Sequence, residues 1–305
     1  MKIIIRYILD WFKETDKIYL LLVSLLTALA IFLNYEWNLR KWLLTFPIPF
    51  PRFFGLYILF LICFAGSYLL YCVTSKNKMY KQGSFLFLLF TAPAIFALKM
   101  SANLKINPGI SVFWDRYINQ VIFWPFLLLI VAIILYLFWK IQDTKDPFYG
   151  LVIKNFNWQP YSLMILLMVP ALAIVSTQAA FLKIYPKINM VLPFPEHLEY
   201  KWLYAGIFEL SYGLDFLNVE FFFRGFLIMA FVKYAGKNVI LPMACFYCAI
   251  HFGKPVAECI SSFFGGILLG IIAFNTRSIM GGLMIHVGIA WLMEIGGYLG
   301  NLLKE

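Results

Sequence analysis

Long apolar runs limit what this chain can fold into more than any other feature. Nine can be marked, at 18–34, 53–73, 84–98, 121–139, 161–182, 202–232, 238–252, 256–274 and 279–300. A bilayer's hydrocarbon core takes roughly 20 residues of helix. Within lipid the backbone must satisfy its own hydrogen bonds. The reading is an all-α fold, a polytopic transmembrane helix bundle of about eight or nine spans. Composition agrees: 63% of the 305 residues are hydrophobic and 13% are charged. Soluble domains are about 45–50% apolar and about 25% charged.

The formal net charge is +10. Its Lys and Arg residues punctuate the loops, so the partner they imply is a lipid bilayer with anionic headgroups, not nucleic acid. Alternate loops carry nearly equal numbers of them, which leaves orientation open. All five cysteines, Cys63, Cys72, Cys245, Cys248 and Cys259, fall inside apolar runs, so a loop disulfide framework is not expected.

Residues 1–16 read as an amphipathic interfacial helix. Asp10, Lys13, Glu14 and Asp16 interrupt the apolar core that a signal peptide needs. Pro47, Pro49 and Pro51 break helix between the first two spans. The most polar stretch, 140–159, holds Asp143, Lys145, Asp146 and Lys154. It divides an N-terminal membrane bundle, 1–150, from a C-terminal core, 151–305. The run 202–232 is longer than a hydrocarbon core requires, so that helix tilts, protrudes or breaks, with Gly206 and Gly213 as places to break.

That long run holds NVEFFFRG, from Asn218 to Gly225. An ionised group at membrane depth costs about 2.5–3.5 kcal/mol on insertion scales. Such groups persist where they face protein and pair. Glu220 and Arg224 are four apart, which places them on one helical face where they can pair. Two later runs hold one histidine each, His251 closing CFYCAIH and His286 within GGLMIHVGIAWLME. A single histidine in an apolar helix is usually a packing residue. Two of them beside a buried acid resemble the parts of a hydrolytic site, since imidazole can hold water and take its proton. Cys245, Cys248 and His251 share a helical face, but one rigid helix rarely gives three ligands to one tetrahedral ion. A divalent metal such as zinc held by Glu220, His251 and His286 matches a known hydrolytic set better.

The order Glu-xxx-Arg-Gly, then aromatic-xxx-His, then a Gly-rich helix and a last His resembles the CPBP intramembrane endopeptidases, the CAAX proteases and bacteriocin-processing enzymes. Glu220, Arg224, Gly225, Tyr247, His251, Gly265, Gly266, Gly270 and His286 carry the resemblance, over about residues 200–295. It implies a helical membrane fold around a water-holding site, and peptide-bond cleavage near the membrane surface. It also implies a glutamate that activates water, supported by histidines. Glu220, Arg224, His251 and His286 are then the catalytic set, acting on a peptide or membrane-protein substrate in a bacterial inner membrane. Some members mature prenylated proteins; bacterial members are linked to peptide processing.

Two positions depart from the family pattern. Val219 stands where the first of two glutamates is usual, the one credited with activating water. Adjacent helical residues point about 100° apart, so Glu220 does not inherit that geometry. Ala290 stands where an asparagine is usual, four residues after His286. Asp215, one turn before Val219, and Glu294, one turn past Ala290, are substitutes by position. Three readings follow: an intramembrane peptidase, an inactive relative that binds a membrane peptide or protein, and a proton-moving transporter, which the lack of repeat symmetry disfavours.

Overall fold

The computed structural model describes residues 1–46, 49–106, 108–142, 147–153 and 156–303. Asp143, Lys145, Asp146 and Lys154, which marked the polar boundary, lie outside the described residues, as does Pro47. All regular structure among the described residues is helical. In chain order the first helices are α1 (Lys2–Glu14), α2 (Lys17–Trp37), α3 (Leu39–Thr45), α4 (Pro49–Ser75), α5 (Gly83–Ser101) and α6 (Val112–Gln142). Then come α7 (Gln159–Val175), α8 (Ala179–Leu182), α9 (Lys201–Glu220), α10 (Leu227–Met229) and α11 (Val232–Ala235). The last three are α12 (Ile240–Ile250), α13 (Val256–Thr276) and α14 (Met280–Leu302).

Six of these, α2, α4, α5, α6, α13 and α14, are long and apolar enough to cross a membrane. The other three expected spans are shorter or interrupted. Helix α7 has 17 residues and α12 has 11. Eleven residues rise only about 16 Å, well short of a hydrocarbon core.

The long run after Trp202 breaks, though not at Gly206 or Gly213. Helix α9 is regular to Glu220, and Phe221–Phe226 then form a π-helical segment. Single π-turns inside helices are rare and are frequent at functional sites. A cause is visible at Gly225, where a Cβ would lie 2.7 Å from the Tyr149 carbonyl oxygen. The Phe221 ring meets Phe148 from the same 148–150 turn at 4.9 Å. Packing on that turn, not flexibility at a glycine, sets the place of the break.

The chain forms two compact units, each with residues from both sides of position 150. The first comprises Met1–Asn103, Trp139–Ile153 and Phe221–Ile279. Its centre is α12, buried from Ile240 to Ala249. Phe246 of α12 packs on Phe60 at 5.0 Å and on Phe223 at 5.1 Å, and Phe96 meets both Phe222 and Phe223 at 4.9 Å. The three consecutive phenylalanines are therefore protein core. Helix α13 lies close to α12 because Gly270 faces Met243 and Ile240, with a hypothetical Cβ 2.6 Å from Met243 Cε. Helix α1 buries Ile4 and Trp11 and exposes Ile3, Ile5, Leu9 and Phe12. That is the two-faced pattern expected at an interface.

The second unit comprises Leu104–Phe138, Lys154–Glu220 and Met280–Glu305. Its apolar cluster takes Phe113, Tyr117 and Trp124 from α6, Phe208 and Tyr212 from α9, Val191, and Ala290 from α14. Polar ties run through it: Tyr117 donates to the Tyr204 carbonyl at 2.8 Å, and Ser211 donates to the Val121 carbonyl at 2.5 Å.

Candidate active site

Glu220 closes the regular part of α9 and is fully buried. Its Oε1 lies 2.9 Å from Nδ1 of His286 on α14, a contact within the second unit. When Nδ1 carries the proton it donates to Oε1, and Nε2 becomes the acceptor end of the ring. Phe216, one turn before Glu220 on α9, sets its ring edge-on to the imidazole, with centroids 4.8 Å apart. The helical repeat thus places an acid and an aromatic wall on one face, and the histidine is held by both. The His286 side chain keeps 16% of its surface exposed, whereas Glu220 keeps none.

Arg224 and His251 belong to the first unit, and both meet Tyr247 of α12. Arg224 is fully buried, with its guanidinium carbon 4.1 Å above the Tyr247 ring. A cation over an aromatic face in dry surroundings gains about 2 kcal/mol. The His251 ring lies 4.7 Å from the same ring, and its Nδ1 is 2.9 Å from the Tyr247 carbonyl oxygen. A carbonyl oxygen only accepts, so Nδ1 donates, and the neutral imidazole presents Nε2 as its acceptor. The aromatic residue of the aromatic-xxx-His pattern therefore has a role: one tyrosine serves both the arginine and the histidine.

The remaining positions fall as follows. Asp215 is half-buried on α9. Glu294 is 7% exposed, and its Oε2 accepts from the backbone N–H of Lys187 at 2.6 Å and of Ile188 at 3.4 Å. Glu209 of α9 sits beside it. Val219 is buried, and Ala290 sits in the apolar cluster with Phe208, Tyr212 and Trp124. Helix α9 keeps its α-helical register up to Glu220, and Arg224 lies in the π-helical segment that follows. Cys248 turns to Cys259 of α13, with sulfurs 3.8 Å apart, so its side chain is engaged by that neighbouring helix.

Among the described residues no three His, Cys, Asp or Glu side chains are gathered to hold a metal ion. Glu220 and His286 together offer two donors, one fewer than the three protein ligands usual for catalytic zinc.

Residues 201–292 match a family model described as Rce1-like, type II CAAX prenyl endopeptidase Rce1-like. This segment is similar to the CAAX protease family. The match covers the stretch that carries Glu220, Arg224, His251 and His286, and it agrees with the CPBP resemblance seen in the sequence. The family is one of membrane-embedded proteases, and six spanning helices make this CAAX-protease relative a multi-pass integral membrane protein. Comparison with curated proteins and with solved structures gives no match.

Sequence reasoning missed Phe216 as a partner of His286, though a residue one turn before a buried acid is the natural place to look. It also missed a set of side chains from α2 and α3 that bind the turn carrying His251. The signal there was a polar residue, Asn34, at the end of an apolar run.

Proposed function

We propose that this protein is an intramembrane endopeptidase that hydrolyses membrane-associated peptides or proteins with water activated at Glu220 and His286. One observation carries the reading: the 2.9 Å contact between a fully buried carboxylate and a histidine that keeps some exposure. His286 holds one carboxylate oxygen, and the other takes a proton from water. The water oxygen bonds to the peptide carbonyl carbon. The C–N bond then breaks and the proton passes to the leaving amine. Arg224 and His251 take the supporting roles that the family gives to these positions. The setting is a bacterial inner membrane. The matched family is named for prenylated CAAX proteins; the substrate class proposed here is wider, a peptide presented at the bilayer.

A metal-free reaction is the simpler proposal for a two-donor set. Chelation should leave turnover unchanged; loss restored by zinc would favour the Glu220, His251 and His286 metal site instead. Val219 and Ala290 favour a second reading, a non-catalytic relative that binds a membrane peptide or partner protein. The packing of Ala290 among aromatic rings leaves that position without an amide.

The test is cleavage of a peptide library by the purified full-length chain in lipid nanodiscs, read by mass spectrometry. Wild type should cut, and Glu220→Gln should slow cutting by about 10²- to 10⁴-fold. Equal cutting by the two would end the proposal. A folded wild type that binds peptides without cutting them would establish the second reading.

A further inference from the structure

The turn after α12 carries His251, with backbone carbonyls from Ile250 to Lys254 at and beside it. Three of them are met by side chains from the corner between α2 and α3. Arg40 Nη1 donates to the Ile250 carbonyl at 2.7 Å. Asn34 Nδ2 donates to the Phe252 carbonyl at 3.0 Å. Tyr35 Oη donates to the Lys254 carbonyl at 2.6 Å. These bonds bracket His251 at 250, 252 and 254. The donors are themselves tied together, since the Arg40 backbone N–H donates to Asn34 Oδ1 at 3.1 Å. That bond also fixes which end of the Asn34 amide faces the turn.

The corner is built for the task. Asn38 adopts a left-handed conformation, φ 51°, which ends α2 and starts α3 at once. Asn34 is 2% exposed, so its amide faces protein and not lipid or water. Gly253 makes room for the arginine: a Cβ there would sit 3.2 Å from Arg40 Nε. Donors and acceptors all lie in the first unit. The donors fall outside residues 201–292, so they are not part of the matched core.

We infer that Asn34, Tyr35 and Arg40 are positioning residues for His251: they fix its turn, and so the direction in which its ring presents Nε2. This rests on the proposed role of His251 in cleavage. An ordinary tertiary contact would need only one such bond. Three bonds to alternate carbonyls around one histidine immobilise the turn itself.

Two measurements on the full chain in nanodiscs test this. The variants are Tyr35→Phe, which removes only a hydroxyl, Arg40→Met, which keeps the stem, and Asn34→Leu. First, carbethoxylation of His251 by diethyl pyrocarbonate is followed by peptide mass spectrometry, with exposed His197 as internal reference. The clamp variants should change the His251 rate at least threefold relative to His197. Second, on a fluorogenic peptide that wild type cuts, the variants should lower kcat by about 10- to 100-fold with KM little changed. They should cost nothing further in a His251→Ala background. Unchanged reactivity in all three variants would overturn the clamp as a determinant of His251 geometry. Altered reactivity with wild-type kcat would overturn its catalytic relevance, as would equal losses with and without His251. Wild-type turnover in His251→Ala alone would remove the reading on which the proposal rests.

Discussion

The two units hold their buried ionic groups by different means. In the first, Arg224 is fully buried and its cation rests on the Tyr247 ring. The second holds Glu220 through a hydrogen bond to His286 on helices that pack along one face only. Helix α9 buries Phe208, Ser211, Tyr212 and Asn218–Glu220, while Trp202 and Leu210 remain open to the surroundings. On α14 the buried set is mostly small residues, Gly281, Gly282, Ala290, Gly297 and Gly300 among them. A cation that is always charged can rest on an aromatic face. An acid that must exchange a proton is better served by a partner that titrates and keeps some exposure. The first unit's cation is met by an aromatic face, and the second unit's acid by a titratable ring.

Four substitutions sharpen or break this contrast. Phe246→Ala removes a ring that touches Phe60, Phe64, Phe96, Phe222 and Phe223. It should cost about 3–5 kcal/mol of stability, measured by denaturant unfolding in detergent. Phe208→Ala, in the second unit, should cost less; equal costs would erase the difference in packing. Glu294→Gln comes next. It weakens the carboxyl acceptor that caps Lys187 and Ile188, at about 1–3 kcal/mol, while turnover per folded molecule should stay unchanged. A collapse of turnover would instead make Glu294 part of the chemistry.

The smallest effect concerns α1. The Lys237 ammonium, by its hydrogen bond first and its charge second, holds the Glu14 carboxyl below the usual carboxylate range. Stabilisation from this pair is therefore present above the unfolded-state pKa of the acid. It is lost as pH falls through the lower folded-state value. The pair is exposed, so the effect is modest and screened by salt. Thermal melts of wild type and Lys237→Met should differ slightly at neutral pH and coincide in acid. A difference that persists in acid would contradict the assignment.

The candidate site residues were legible because an ion or imidazole inside an apolar run stands out against its neighbours. Glu220, Arg224, His251 and His286 could all be marked that way. What those residues touch was less legible. Hydropathy does not distinguish a phenylalanine that faces lipid, such as Phe87 or Phe90, from one that faces protein, such as Phe60 or Phe64. The nine-run reading therefore counted α12 as a span, although its apolar surface is spent inside the first unit. Glycine was the natural place to expect the break in the long run. The break follows instead from the fit of Phe221 and Gly225 to the 148–150 turn, a contact between residues distant in sequence. The clamp on His251 was hidden for the same reason: its donors and acceptors lie about 210 residues apart.

The central claim is that Glu220 and His286 act as one unit, and a double-mutant cycle tests it most directly. The quantity to measure is kcat/KM for wild type, Glu220→Gln, His286→Asn and the double variant on one cleaved peptide. The account predicts that the double variant is no slower than the slower single one, because either change already disables the pair. Losses that multiply would show two independent groups and contradict it.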